Sequence, residues 1–189
     1  AGEQVEIGAA ENHNPWAGAV IDYRFDSGGP TVRDHGPHDH DLSIADPGAV
    51  RWLPEGLQVD GTLITSTKPA SELIQACKRS NAMRIVLDIT PDPITAETDP
   101  DHLPRRIVCM PVDYNERNFS LGQGLWRTRF PAYDMRLHTS ASTPDGRPSL
   151  ATTDPRDQSQ RTLLVYTRAA DGTARFYCDG EPVRVRLVR

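Results

Sequence analysis

The feature that most constrains this chain is a rhythm. Short stretches of alternating apolar and polar side chains recur, each cut off by a glycine or proline turn. In 19–25, Ile21, Tyr23 and Phe25 alternate with Asp22 and Arg24; in 83–90, Ile85, Leu87 and Ile89 alternate with Arg84, Val86 and Asp88. In 132–139, Tyr133, Met135 and Leu137 alternate with Asp134, Arg136 and His138. A period of two puts every second side chain on one side of a pleated backbone, so each stretch predicts a half-buried strand. Further short strands are predicted at 42–44, 50–52, 57–59, 63–65, 106–110, 118–123, 162–167, 174–179 and 182–188, bounded by turn residues. Ser27-Gly28-Gly29-Pro30, Ala170-Asp171-Gly172 and Asp179-Gly180-Glu181 read as tight turns. The exception is 70–81, where Leu73, Ile74 and Cys77 share one helical face and Asn81 is placed to stop the helix. Residues 140–160 read as a long polar loop. The expected class is all-β, an antiparallel two-sheet jelly-roll sandwich with one short helix.

At 189 residues the chain suits one domain, taken here as 19–189 behind an arm or linker at 1–18 that Trp16 could anchor. The 16 prolines and 14 glycines match a turn-rich chain. A net charge of -5 argues against nucleic acid as partner, because that affinity rests on Lys and Arg neutralising phosphate. Arg184, Arg186 and Arg189 read as the solvent side of a strand. No run approaches the roughly 20 apolar residues of a membrane-spanning helix, so membrane insertion is not expected. The chain begins at Ala1 without an initiator Met or leader pattern, which reads as a processed product or a cut segment. Cys77, Cys109 and Cys178 show no metal-type spacing; one disulfide with a free thiol and three reduced, core-packed thiols both remain open.

The segment Leu164-Val-Tyr-Thr-Arg-Ala-Ala-Asp-Gly-Thr-Ala-Arg-Phe-Tyr-Cys-Asp-Gly180 resembles the "VVYTRDASGTARLYVDG" hairpin of bacterial laminin-G-like domains in the concanavalin A-like lectin/glucanase superfamily. Tyr23-Arg-Phe-Asp26 with Thr31-Val-Arg-Asp34 is similar to that family's opening strand and loop. Arg106-Ile-Val-Cys-Met110 and Asn118-Phe-Ser-Leu-Gly-Gln123 are similar to its "RIVTLS…NFTLGQ" strands, and 70–81 to its "LIEACRKSNE" segment. The likeness covers about 19–181. Two departures stand out. Met83-Arg-Ile-Val-Leu-Asp-Ile-Thr-Pro91 lacks the family's Trp and Glu, and the family usually runs on through a closing strand, whereas this chain ends at Arg189. The expectation is a domain lacking that strand, with an edge open to an oligomeric partner or to neighbouring domains of a longer chain.

The resemblance implies a secreted, extracellular or periplasmic protein, some of them at the cell surface, that binds a glycan or a cell-surface protein. The alternative is a structural or adhesive interaction domain. It also places calcium at loop edges, which points at Asp34, His38, Asp39, His40 and Asp41 in the dense run 34–41. Three histidines there make zinc the second choice, and a solvated polar loop the plain reading. For catalysis, the glucanase branch uses a strand motif with paired carboxylates about 5 Å apart. The nearest string, Glu97-Thr-Asp99-Pro-Asp101, has the wrong spacing and is flanked by prolines, and Asp88 stands alone. No catalytic residue is assigned and the chain is not expected to be an enzyme. A sugar platform needs an aromatic face with a polar rim; Trp126 and Tyr133 with Gln123, Arg127 and Arg129 are the candidates, against simple hairpin packing. Asn118-Phe-Ser120 matches a glycosylation sequon but lies in a predicted strand.

Overall fold

The computed structural model describes residues 18–26, 28–113, 115–154 and 158–189. The expected arm and its Trp16 anchor lie outside them, apart from Gly18. The chain gathers into two compact units, one reaching to Asn81 and one beginning at Ala82, where the sequence reading takes 19–189 together. Both are built on antiparallel β-pairing, with one α-helix among the described residues.

In the first unit, β1 (Thr31–Val32), β2 (Leu42–Ile44) and β5 (Ile64–Ser66) form a small sheet in the order β1-β2-β5. A separate hairpin joins β3 (Val50–Leu53) to β4 (Gly56–Val59). Helix α1 (Ser71–Ser80) ends where expected: Asn81 takes the left-handed conformation at φ 49° that closes a helix. Glu72 in its first turn and Lys78 and Arg79 in its last complement the helix dipole. The strand expected at 19–25 does not form. Only Tyr23 bridges, to Asp34, and Phe25 turns to φ 52°, a left-handed backbone that ends an extended run. Local alternation lost there to the loop beside it: the Asp34 carboxylate takes the Asp22 amide at 2.8 Å, and the His35 amide bonds Asp22 O.

The second unit holds the long strands. A five-stranded sheet runs β14-β10-β9-β8-β7, with β7 (Arg105–Pro111), β8 (Arg117–Leu125), β9 (Thr128–Leu137), β10 (Ser149–Thr152) and β14 (Val185–Val188). A four-stranded sheet runs β13-β12-β11-β6, with β6 (Met83–Ile89), β11 (Thr162–Arg168), β12 (Ala174–Cys178) and β13 (Glu181–Val183). One buried cluster takes Phe119, Leu121, Tyr133 and Met135 from the first of these sheets and Leu164, Tyr166, Phe176, Cys178 and Val183 from the second. Tyr166 and Phe176 meet edge to face with ring centroids 5.3 Å apart.

Two expectations change here. The polar loop at 140–160 contains β10, held between β9 and β14 on both of its sides. The single strand expected at 182–188 is two: β13 pairs with β12, and after Arg184 the chain joins the other sheet as β14. Both hairpin turns form as read. Asp179 and Gly180 take φ 55° and 86°, the left-handed pair of a two-residue turn, and Ala169 to Thr173 closes around Gly172. All three cysteines are free thiols.

Phe176 is fully buried in the shared cluster, whereas Leu187 on β14 is 67% exposed. Phe176→Ala therefore costs about 3–5 kcal/mol of stability in denaturant unfolding. Leu187→Ala stays within about 0.5 kcal/mol.

Candidate functional site

Of the two regions picked out by sequence, the loop 34–41 is organised around its own backbone. Asp34 is 3% exposed. Its Oδ1 accepts the amides of Asp22 and Gly36, both at 2.8 Å, and its Oδ2 accepts the amide of His40 at 2.9 Å. The Asp34 amide in turn donates to Asp41 Oδ1 at 2.8 Å. The Tyr23 hydroxyl donates to His40 O and the Lys68 ammonium to His38 O. Asp39 sits at φ 51°, the tight bend that brings the loop back.

His40 is 1% exposed, with Nε2 3.2 Å from the Glu72 carboxylate on α1: close enough for an ion pair, but out of line for a hydrogen bond. The Glu72 carboxyl is held below its usual range, first by its own backbone amide and less by His40 and His38. Among the described residues, no three His, Cys, Asp or Glu side chains gather where one ion could be held. Calcium or zinc thus finds no formed donor set in Asp34, His38, Asp39, His40 and Asp41. The most buried carboxylate of the five has both oxygens committed to backbone amides.

The second region is the tip of the β8–β9 hairpin. Leu125 pairs with Thr128, leaving Trp126 and Arg127 as a two-residue loop with Arg127 at φ 56°. Just before it, Gly124 lies at φ 90°, and a Cβ there would meet Ile94 Cδ1 and Leu103 Cδ2 at 2.9 Å. Only glycine lets the segment before β7 pack this closely under the tip. Trp126 is 54% exposed, and the Arg127 guanidinium sits 5.4 Å from its ring centroid. Arg127 also pairs with Asp101 at 3.0 Å, and Arg129 donates to Thr98 O at 2.8 Å. His102 and Asp99 lie 3.3 Å apart on the same segment. The outcome is an exposed indole with Arg127 over its ring and Asp101 paired to that arginine.

The other two members of the expected platform are elsewhere. Gln123 is 2% exposed, and its amide donates to Asp92 O at 2.8 Å and to the buried Gln158 side chain at 2.9 Å. Tyr133 is 2% exposed within the shared core. Cross-strand pairing of Gln123 with Tyr133 does bring them together, as the predicted strands suggested, but under the surface.

The carboxylates considered for acid/base chemistry are each engaged separately. Asp88 is bound by both Nε and a terminal nitrogen of Arg161, at 2.9 and 2.8 Å, and this hydrogen bonding holds its carboxyl below the usual range. Glu97 accepts from Thr95 at 2.6 Å and Asp101 from Arg127. The sequon falls inside β8, where Ser120 is 4% exposed.

Sequence reading missed Asp134. It is 2% exposed, with Arg136 Nε 3.4 Å from Oδ2 and no hydrogen bond to Oδ1. Burial pushes its carboxyl above the usual range, against the pull of the Ser149 hydroxyl and Arg136. Alternation marks Asp134 as solvent-facing, and nothing local shows that its face is covered.

For Asp34, burial pushes the carboxyl up, but the amides of Asp22, His40 and Gly36 pull harder and leave it below the ordinary range. Such a group adds stability above its unfolded pKa, about 3.9, and that stability is lost as the pH falls through its lower folded value. Asp34→Ala removes three charge-assisted bonds at once, a loss of about 2–4 kcal/mol. The amides of Asp22, Gly36 and His40 then exchange with solvent roughly 100-fold faster near neutral pH, measured by NMR. Compared with models of protein families, with curated proteins and with solved structures, the chain matches none.

Proposed function

We propose that this chain is a non-catalytic recognition module of the extracellular or periplasmic space that binds a saccharide at the Trp126 tip. The fold that goes with this reading is the jelly-roll sandwich of the laminin-G-like, concanavalin A-like group. What favours it is the burial of side chains from a five-stranded and a four-stranded antiparallel sheet in one cluster.

One observation carries the ligand reading: a large apolar ring, half exposed, at a hairpin tip whose polar surroundings are already oriented. Pyranose rings have apolar faces and polar rims, so an indole supplies the stacking surface. Arg127 and its partner Asp101 supply donors and acceptors beside the ring, with Arg129 two residues on in β9. Arg127 covers one face of the indole, which leaves the other to the sugar. Orientation before binding matters because each side chain immobilised on binding costs affinity. The separate engagement of Asp88, Glu97 and Asp101 supports binding over hydrolysis, since glycosidases hold two carboxyl groups across one bond.

A second reading, an adhesive domain working through its sheet edge, is favoured by β14. That strand ends the order of its sheet and carries the exposed Leu187. Arg184, Arg186 and Arg189 are also exposed there, and edge charges of that kind oppose indiscriminate strand pairing.

On a glycan array and in polysaccharide pull-downs, the folded protein retains a saccharide. Trp126→Ala weakens that binding about tenfold or more, and Arg129→Ala weakens it less. Retention of no glycan by the folded wild type, or equal retention by Trp126→Ala, would refute the assignment. Self-association measured by sedimentation and abolished by Leu187→Glu would favour the edge reading instead.

A further inference from the structure

Away from the Trp126 tip, the second unit has a shallow, open hollow of about 10 Å³, room for one water, lined by Arg106, Cys109, Asp113, Glu116, Arg117 and Ser120 of β7, β8 and the turn between them. Ser120 lies between the core residues Phe119 and Leu121, so strand alternation puts it on the sheet's other face, with its cross-strand partner Cys109. The β7–β8 register slips twice, between Arg106 and Val108 and between Met110 and Pro111. An extra residue in one strand bends it and re-aims its side chains, and here the slips lie either side of Cys109 with Arg106 and Arg117 beyond them. Trp126 is six residues from Ser120, about 20 Å along an extended strand. The pocket is thus a different place from the proposed saccharide platform and does not rest on that reading.

Its lining carries two arginines and two acidic residues, but the arginines are not paired with them. Arg136, the partner of Ser120 on β9, has Asp134 at 3.4 Å and Asp145 at 4.0 Å. Arg106 and Arg117 have no carboxylate at ion-pair distance among the described residues. Two acidic residues also line the pocket, but Asp113 gives its Oδ1 to the amides of Asn115 and Glu116, both at 2.7 Å, and Glu116 pairs with neither arginine. Arg117 reaches Asn115 O with one terminal nitrogen at 3.3 Å, and its Nε is buried with no acceptor. Burial first, then the like charges of Arg136 and Arg106, hold this guanidinium below its usual range, against Asp145 and Cys109. A cation part-desolvated beside two others, with a donor unspent, is relieved by an anion bound among them.

We propose that this pocket binds an oxyanion, a carboxylate, sulfate or phosphate group of a small ligand, between the Arg106 and Arg117 guanidiniums with the Ser120 hydroxyl alongside. Guanidinium forks suit such groups because they present paired donors to paired oxygens. The site works against the overall charge of -5, so it selects by local geometry and not by a basic surface.

Calorimetric titration with sodium sulfate, phosphate and glucuronate, with glucose as the neutral control, tests this. One or more of the three anions binds saturably and glucose does not. Arg106→Gln and Arg117→Gln each weaken binding about tenfold or more, while Trp126→Ala leaves it unchanged. Preference for sulfate or phosphate identifies a tetrahedral ligand, and preference for glucuronate identifies a carboxylate. In the unmutated protein, the bound anion slows iodoacetamide labelling of Cys109 and not of Cys77, followed by peptide mass spectrometry. The proposal is overturned if the folded wild type shows neither saturable binding up to about 10 mM nor protection of Cys109. Equal binding by the folded glutamine variants overturns it too.

Discussion

Burial on both faces of the β8–β9 pair organises the second unit. From one face of this hairpin, Phe119, Leu121, Tyr133 and Met135 enter the cluster shared with β11, β12 and β13. From the other face, Ser120, Asp134 and Arg136 are also shielded, at 8% exposure or less. A strand pair covered on both faces is held in one register, because a slip of one residue would send Asp134 and Arg136 into the apolar cluster. That fixed register lets the tip project Trp126 in one orientation, and it holds Ser120 and Arg136 beside the two slips of β7.

Polar burial in this protein is mostly paid for by backbone partners. Asp34 takes three amides, and Gln123 reaches Asp92 O. A carboxylate or amide used in this way ties segments distant in sequence, and a buried group left without partners is costly. Against that background, five buried side-chain atoms of the described residues have no hydrogen-bond partner, Arg117 Nε and Asp134 Oδ1 among them. The Arg117 atom lies in an arginine-lined hollow; the Asp134 atom belongs to a carboxyl that burial favours in its neutral form.

Where local pattern and local chemistry agree, the elements could be read directly. Helix α1 combines a single apolar face with a left-handed Asn81, and the β11–β12 and β12–β13 turns need only the residues they contain. Short hairpin loops, five residues between β11 and β12 and two between β12 and β13, also fix pairing, so the neighbours of β12 followed from its turns. The readings that changed all depend on a partner far along the chain. Ser149-Leu-Ala-Thr152 has little β-character of its own and becomes a strand between β9 and β14. The alternating 19–25 meets no ladder and is bound as a loop by Asp34. Half of the aromatic platform was legible, because a Trp in a tight turn has little to pack against, whereas Tyr133 and Gln123 belong to strands whose coverage no local signal reports.

By itself, then, the sequence determined the antiparallel β-character, the helix and the hairpin turns around β12, because period two, turn conformations and capping are properties of a few adjacent residues. Only the tertiary structure decided which strands share a sheet, where the chain changes sheets at Arg184, and which polar side chains are enclosed. It alone brought Arg106 and Arg117 to one hollow from two strands, with the charge of Arg136 near enough to act on Arg117. Those outcomes are set by long-range pairing and by what covers each sheet face, and an alternating pattern reads the same whether the polar side meets water or protein.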